Sequence, residues 1–469
     1  MIAGDYLMSI TEQELAKLSY PDAPKMVTAI PGPKARKIVE DSINTESMAR
    51  GGGAAPFVFA DGKGATIKDA DGNLLLDITA GVAVNAVGRC HPKVVQAIKD
   101  QAGVLMQTSD ISSVMRTNLA TRISEVAAGD LKGDCITYFT QTGSGAAETA
   151  LKFMRKITGR SQVIAYHGAY HGVWGLCGSL TTGPQYRKGF LQPQPTIHVP
   201  YPYCYRCAFG KEYPSCDMQC AKYVDMVMNE PYTGAHDVAA LIIEPQQGEG
   251  GYIVPPKEYL PMIKKSCEKN GCLFIADEVQ SGAGRTGKMW AIEHSGITPD
   301  MHTYGKGMGG DMPSAGLVMR RDLAKNIEEG SQPNTFAGNG VIAAATIANI
   351  DIIAGDDYAL VKRCAELGEE IMGEFREFQK TSKTLGEVRG QGLMIGLELV
   401  EDKKTKVPLA KEKMGQMVGA MMQKGFLVAT CGKFGNVFRL MPPLVITREQ
   451  ANQTVKAFIE TFKEMEKNQ

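Results

Sequence analysis

Residues 272–280 read Cys-Leu-Phe-Ile-Ala-Asp-Glu-Val-Gln. The run Cys272–Ala276 is apolar throughout, with no polar alternation. That pattern predicts a short strand covered on both faces, the habit of a mostly parallel sheet between helices. The strand ends in an acid, Asp277. Open α/β sheets bind ligands at the carboxyl ends of their strands, so Asp277 is placed by position at a ligand-binding edge. A strand-end acid can equally do no more than cap the next turn, so Asp277 alone decides little.

Similar runs lie on both sides of this one: 134–139, 162–166, 239–243 and 316–319. After 139 a Gly-containing turn leads into a helix pattern with Ala147, Ala150, Leu151, Met154 and Ile157 on one face. Strand-like and helix-like segments alternate from about 80 to 335, which predicts an α/β layered domain. Beyond 340 the texture changes. A helical stretch gives way to strand candidates at 393–399, 426–429 and 437–440. A closing amphipathic helix puts Val455, Phe458, Ile459, Phe462 and Met465 on one face, with Thr447 and Gln450 as its capping box. At the other end, 1–50 is polar and carries Pro21, Pro24, Pro31 and Pro33, which reads as an arm wrapping a neighbour rather than a core. Asp71-Gly72 between two short strand patterns predicts a hairpin. The expected division is 1–78 as arm and part of a small domain, 79–338 as the large domain, and 339–469 as the α+β small domain.

Composition narrows the function. The 469 residues hold 51 Lys+Arg and 51 Asp+Glu, so no basic excess exists to neutralise nucleic acid or anionic lipid. No run of about 18 apolar residues appears, which argues against a membrane span, and the first residues do not read as a signal peptide. Eleven cysteines, an odd count with Cys135 and Cys272 in apolar segments, read as reduced thiols and a cytoplasmic protein.

Three further segments carry chemistry. Lys306 sits in Tyr304-Gly-Lys-Gly-Met-Gly-Gly310, where glycines allow close approach of backbone to a ligand. Gln141-Thr-Gly-Ser-Gly-Ala146 joins a strand to a helix, and its amides can hold a phosphate at the helix N-terminus. Tyr166-His-Gly-Ala-Tyr-His-Gly172 offers rings that could stack on a planar heteroaromatic. Each has an ordinary explanation alone: a surface lysine, a plain βα turn, rim packing. Together they supply an amine, a carboxylate, a stacking ring and a phosphate cup, the requirements of pyridoxal 5'-phosphate (PLP).

Along nearly its whole length the chain also resembles the class III (ω-type) PLP-dependent aminotransferases of fold type I. The segments that carry the resemblance are TGSGAAETALK, YHGAYHG, EPQQGEGGY, ADEVQSGAGRTGKMWA, YGKGMGG, NTFAGN and NVFRLMPPL. The resemblance implies a large domain with a mostly parallel central sheet between helices, plus a smaller α+β domain. It implies that Lys306 holds PLP as a Schiff base and shuttles the proton, and that Asp277 pairs with the ring nitrogen. Gln280 would bond the ring phenolate oxygen, Val279 would pack beneath the ring, and Tyr170 would stack on its other face beside His171. Gly143 and Ser144 would bind the phosphate. Thr335 would reach the phosphate of a neighbouring subunit, making the protein a homodimer or dimer of dimers with active sites at the interface. Glu249, at the edge of the cofactor site, and Arg439 resemble the family's gate, in which the arginine pairs with the glutamate or swings to bind a substrate carboxylate. Val82, Val173 and Trp174 would complete the substrate pocket.

Two departures stand out. Gly145 occupies a position where the family usually has an acid. Val173 and Trp174 stand where 4-aminobutyrate-specific enzymes carry an arginine after the His-Gly, so the second carboxylate clamp is missing and the chain resembles the β-alanine–pyruvate branch. The expected reaction moves an amino group from an ω-amino acid or primary amine to a 2-oxo acid, with pyruvate favoured. An amino-acid racemase or epimerase of the same fold is the alternative, since Pro31-Gly-Pro-Lys-Ala35 resembles the arm of archaeal members of that group. Outside this scheme lies Cys204-x2-Cys207-x8-Cys216-x3-Cys220. Four such thiolates can hold a structural zinc; a loop of free thiols is the expected reading, with no metal.

Overall fold

The computed structural model describes residues 11–51 and 55–467. The hairpin expected at Asp71-Gly72 forms: β1 (Phe59–Lys63), β2 (Thr66–Asp69) and β3 (Leu74–Asp77) run antiparallel in succession. The turn has a second use. The Asp71 carboxylate accepts the Lys34 and Ala35 amides at 2.8 and 2.9 Å, capping the helix Pro33–Thr45 from another element. The stretch read as an arm is not free of the core. Leu15 and Leu18 are 2% and 8% exposed, packed into the main hydrophobic cluster of this same chain, and Glu12 pairs with Arg363 at 2.6 Å. Proline-rich, polar composition hid two leucines at helical spacing.

The central sheet comprises β4 (Cys135–Thr140), β5 (Gln162–Tyr166), β6 (Thr196–Val199), β7 (Val238–Ile243), β8 (Leu273–Asp277), β9 (Met301–Tyr304) and β10 (Ala315–Arg320). Their spatial order is β4-β10-β9-β8-β7-β5-β6. β10 runs antiparallel to both its neighbours, while the pairs from β9 to β6 are parallel. β7 and β8 are buried at every residue, as unalternating apolar strands should be. The register β8 Asp277↔β9 Thr303 brings the two strand ends that bear Asp277 and Lys306 side by side.

The remaining strands are β11 (Leu385–Gln391), β12 (Met394–Leu399), β13 (Phe426–Leu427), β14 (Ala429–Cys431) and β15 (Val437–Leu440). β13 pairs parallel with β3, tying the N-terminal hairpin to the C-terminal third; β11, β12, β15 and β14 form a separate antiparallel sheet. The helical residues Gly340–Thr381 are interrupted where φ turns positive at Asp356, Asp357 and Tyr358. The closing helix Arg448–Lys467 has the expected box: Thr447 N donates to Gln450 Oε1 at 3.0 Å, and Gln450 N to Thr447 Oγ1 at 3.1 Å. Among the strands that the sequence runs did not mark, β6 and β11 show why. β6 is a short, half-buried sheet edge. β11 carries Glu387 and Arg389 among its glycines, and the charge is internal: Arg389 pairs with Glu387 and, at 2.7 Å, with Glu398.

Candidate functional site

Parallel strands put their carboxyl ends on one edge, and here that edge is a cavity of about 410 Å³. β8 delivers Asp277, the turn after β9 delivers Lys306, and the turn after β4 delivers Gly143 and Ser144. The loop after β5 delivers Tyr170 and His171, and the loop after β7 delivers Glu244 and Glu249. Arg439, on β15, closes the cavity from the antiparallel sheet.

Asp277 is buried and held by three partners, with a lone pair of Oδ2 still free of any protein group. Its Oδ2 lies 2.6 Å from His171 Nδ1, and its Oδ1 accepts from Val279 N at 3.0 Å and Thr303 Oγ1 at 2.9 Å. Burial alone would raise its pKa, but the imidazole and these donors outweigh burial and hold the carboxyl below its usual range. His171 answers in kind: burial opposes its charge, and Asp277 overrides burial and raises its pKa. Both shifts favour the imidazolium–carboxylate form of the pair. Lys306 feels the opposite balance. Burial, then the Arg439 cation, push its amine down to about 8. Its φ of 41° puts a non-glycine residue in the left-handed region, strain of the kind that collects at functional positions.

The helix Gly143–Thr158 opens at the cavity. Thr142 caps Gly145 N at 3.0 Å, while the amides of Gly143 and Ser144, in the first turn, have no carbonyl of the helix to bond. With the helix dipole they make an anion seat. Gly143 must lack a side chain, since a Cβ there would lie 2.7 Å from Val279 Cγ1.

These features fit PLP. The cavity holds an amine of lowered pKa, a buried carboxylate, a phosphate seat and a half-buried ring, Tyr170. It also holds buried polar atoms without a protein partner: Gln280 Oε1, His171 Nε2 and Arg439 Nε. Arg439 makes one ion pair, with Glu249 at 2.9 Å, and Glu249 is 35% exposed. The guanidinium thus keeps donors available to a carboxylate entering the cavity.

Two residues expected in the substrate pocket do not line this cavity, and Thr335, expected to serve a neighbouring subunit, lies outside it. Val173 and Trp174 are 40% and 57% exposed and are not among its lining residues. The cause is local: Glu148 accepts Cys177 N at 2.7 Å and Thr181 Oγ1 bonds Gly172 O at 2.6 Å, folding 172–181 back on itself. Thr335 is exposed, its carbonyl accepting from Gln107 Nε2 at 2.7 Å. Val82 does line the cavity, as do Val279 and Gln280. Sequence reading missed Glu244, Gln246, Ser281, Gly51 and Tyr186. Glu244 could have been found by the logic that found Asp277, since it directly follows the apolar strand β7. Tyr186 gives no such signal; its ring meets Tyr170 edge-on at 5.2 Å. The adjacent Arg187 donates to the carbonyls of Ser179 and Thr181 at 2.8 and 2.9 Å. Cys204, Cys207, Cys216 and Cys220 line one small cavity of about 20 Å³ away from this site, all as free thiols. Among the described residues no group of three or more His, Cys, Asp or Glu is arranged to hold a metal ion.

Comparison with known proteins agrees with the geometry. Residues 47–462 match the family model Aminotransferase class-III. The alanine/serine racemase of Pyrococcus horikoshii is 34% identical over 94% of this chain and 93% of its own. The 4-aminobutyrate aminotransferase of Mycobacterium leprae is 35% identical over 91% of this chain and 95% of its own. An amine transaminase from an uncultivated Pseudomonas species, solved with PLP bound, superposes with a TM-score of 0.81 at 29% identity, covering 90% of this chain and 97% of that one.

Proposed function

The chain belongs to the class-III aminotransferases, PLP-dependent enzymes of fold type I, and we propose that it moves an amino group from an ω-amino acid or primary amine to a 2-oxo acid, with pyruvate favoured. When bound, PLP supplies an electron sink that stabilises negative charge at the carbon losing its proton. The chain's own groups do the rest. Lys306 would anchor the cofactor and serve as the base that moves a proton at the substrate carbon; a pKa of about 8 leaves it partly neutral near pH 7. Asp277, whose carboxyl His171 holds below its usual range, would keep a proton at the ring nitrogen. Gly143 and Ser144 would bind the phosphate, Val279 and Tyr170 would pack against the ring, and Gln280 would bond the ring oxygen.

The substrate end rests on one observation: among the described residues lining the cavity, the only cations besides His171 are Lys306 and Arg439. Lys306 is committed to the cofactor, so Arg439 can clamp one carboxylate. A second, distal carboxylate would be desolvated without a partner, at an effective penalty of several kcal/mol (about 3 or more). Pyruvate brings one carboxylate and a methyl; 2-oxoglutarate brings two carboxylates. The wall first assigned to Val173 and Trp174 is supplied by Tyr170, Tyr186 and Val82. With one good donor, kcat/KM should favour pyruvate over 2-oxoglutarate by about tenfold or more, equivalent to about 1.4 kcal/mol. Equal values would mean that another cation reaches the cavity.

A second reading, amino-acid racemisation, is favoured by the 34% identity to the racemase over 94% of this chain. An L-amino acid losing optical activity with no oxo acid present would establish it. The reading includes a homodimer. Val104, Ile111, Val114 and Phe336 are 79%, 74%, 79% and 61% exposed around segments tied by the Gln107–Thr335 bond, an apolar surface that a second copy would cover and from which Thr335 could reach the other cavity. Light scattering should give twice the chain mass or more. Eleven free cysteines favour a reducing, cytoplasmic setting, and no helix among the described residues is long and apolar enough to cross a membrane.

A further inference from the structure

Glu244 is the cavity acid that the scheme above leaves without a task. It directly follows β7, is 7% exposed, and accepts Tyr170 N at 3.0 Å on Oε1 and Gly248 N at 2.7 Å on Oε2. Its neighbour across Gly248 is Gln280. A carbon added to Gly248 would lie 2.5 Å from Gln280 Oε1 and 3.1 Å from Glu244 Oε2, so two oxygens flank the space that the missing side chain leaves. Gln280 Oε1 is buried and has no partner. Both oxygens are acceptors bordering one buried gap, and a proton on one of them would let the other accept it.

We propose that Glu244 is a positioning residue, a carboxylic acid that donates its proton to Gln280 Oε1 and thereby turns the Gln280 amide N–H groups toward PLP. The inference rests on the PLP reading of this cavity. The surroundings support the protonated form. Burial raises the Glu244 pKa to about 7; His171 lowers it and Asp277 raises it. The charged and titratable groups that face it are His171, Asp277, Lys306 and the Tyr201 phenol. The His171–Asp277 pair is internally compensated, so no net cation is dedicated to Glu244. When Glu244 loses its proton, the better arrangement is a flipped Gln280, its NH2 donating to the carboxylate and its oxygen turned into the cavity. The acid is then a two-position control on which end of Gln280 PLP meets: N–H below pH about 7, oxygen above it.

Glu244→Gln tests this, because an amide donates to Gln280 at every pH. The visible absorbance of the PLP-loaded protein is titrated from about pH 5.5 to 8.5, and the infrared band of a protonated carboxyl is followed in parallel. In the wild type a step near pH 7 is expected in both signals, with the carboxyl band fading as pH rises. E244Q should lack that step and that band. A step that persists unchanged in E244Q overturns the proposal. If E244Q does not fold, Gln280→Leu serves: removing the acceptor should displace the infrared titration of Glu244 by half a pH unit or more, roughly the worth of one modest hydrogen bond, and an unmoved titration overturns the proposal. A protein with no bound-PLP absorbance at all would refute the cofactor reading instead, which keeps the two failures apart.

Discussion

The floor of the cavity and its mouth are built on different principles. On the floor, Asp277 is held by three named partners, Thr142 is locked to Gly145, and the strands beneath are buried at every residue. At the mouth, Arg439 has one ion pair to a partly exposed glutamate, Val82 is 38% exposed, and Tyr186 rests on a ring contact. The floor binds one invariant cofactor and gains from rigidity; the mouth must receive a donor, release it and receive an acceptor. The contrast predicts that floor substitutions abolish chemistry, while mouth substitutions redistribute affinity among substrates.

The largest effect falls on Lys306. Lys306→Ala removes both the covalent anchor and the proton carrier, so kcat should fall by more than about 10⁴-fold, the upper range for acid–base transfer alone. A variant keeping a few per cent of wild-type turnover would end the assignment. Asp277→Asn comes next. Breaking a buried ion pair by removing one partner should lower stability by about 3–5 kcal/mol, and kcat should fall by about 10³-fold because the ring nitrogen loses the carboxylate that keeps it protonated, about 4 kcal/mol of transition-state stabilisation. His171 would lose the charge that raises its pKa and become neutral. The sign in acid is fixed. The Asp277 carboxyl has a lowered pKa in the fold, so its stabilisation is present above the unfolded carboxyl pKa and is lost as pH falls through the folded one. Below the unfolded carboxyl pKa, D277N should therefore lack the loss of stability that protonating Asp277 causes in the wild type, which urea titrations at several pH values can read.

A third outcome concerns pH. Only the neutral amine of Lys306 can bond to the PLP aldehyde. With a pKa of about 8, covalent uptake of PLP by the apoprotein should accelerate by about fiftyfold from pH 6 to pH 8, then level off. Stopped-flow absorbance decides it; a rate still climbing tenfold per unit beyond pH 9 would mean an ordinary lysine. The fourth moves to the mouth. Arg439→Ala should lower kcat/KM by about thirtyfold for substrates with a carboxylate, the range of a charge-assisted hydrogen bond, and much less for amines without one. An equal loss for both classes would show Arg439 acting on the floor and not as a clamp.

The same division governs what the sequence reveals. Floor residues sit at strand ends and helix starts, where apolar runs and glycine turns mark the position. β5 and β15 appear in the structure at the bounds read from sequence, and β7 and β8 within a residue or so. Glu244 is legible by the same rule, since it directly follows the apolar strand β7. The mouth is assembled from segments distant in sequence, so no local pattern reports it. Val173 and Trp174 directly follow the His171-Gly172 motif yet do not line the cavity, their segment folded back by bonds from Glu148 and Thr181, more distant residues that no spacing predicts. Tyr186 enters because Arg187 ties its turn to the Ser179 and Thr181 carbonyls.

The smallest expected effect tests whether the mouth carries strain the floor would not tolerate losing. Val82 lines the cavity with φ at 63°, in a run that includes Ala80, Gly81 and Ala83, all at positive φ. A β-branched residue in the left-handed region is disfavoured by about 1–3 kcal/mol. Val82→Gly removes that strain. Against it stand the extra chain entropy of glycine, about 0.5–1 kcal/mol, and the contacts of a side chain that is already 38% exposed. The two sides nearly cancel, with a slight advantage to glycine, so Tm by calorimetry should rise by no more than about 2 °C. Activity should respond more than stability. Removing an apolar wall residue should weaken donors with an apolar tail by about threefold in kcat/KM, about the transfer energy of one methylene, and leave pyruvate nearly unchanged. A fall in Tm of several degrees would show Val82 to be a packing residue of the core, and the distinction between a rigid floor and an adaptable mouth would then have to be drawn elsewhere in the cavity.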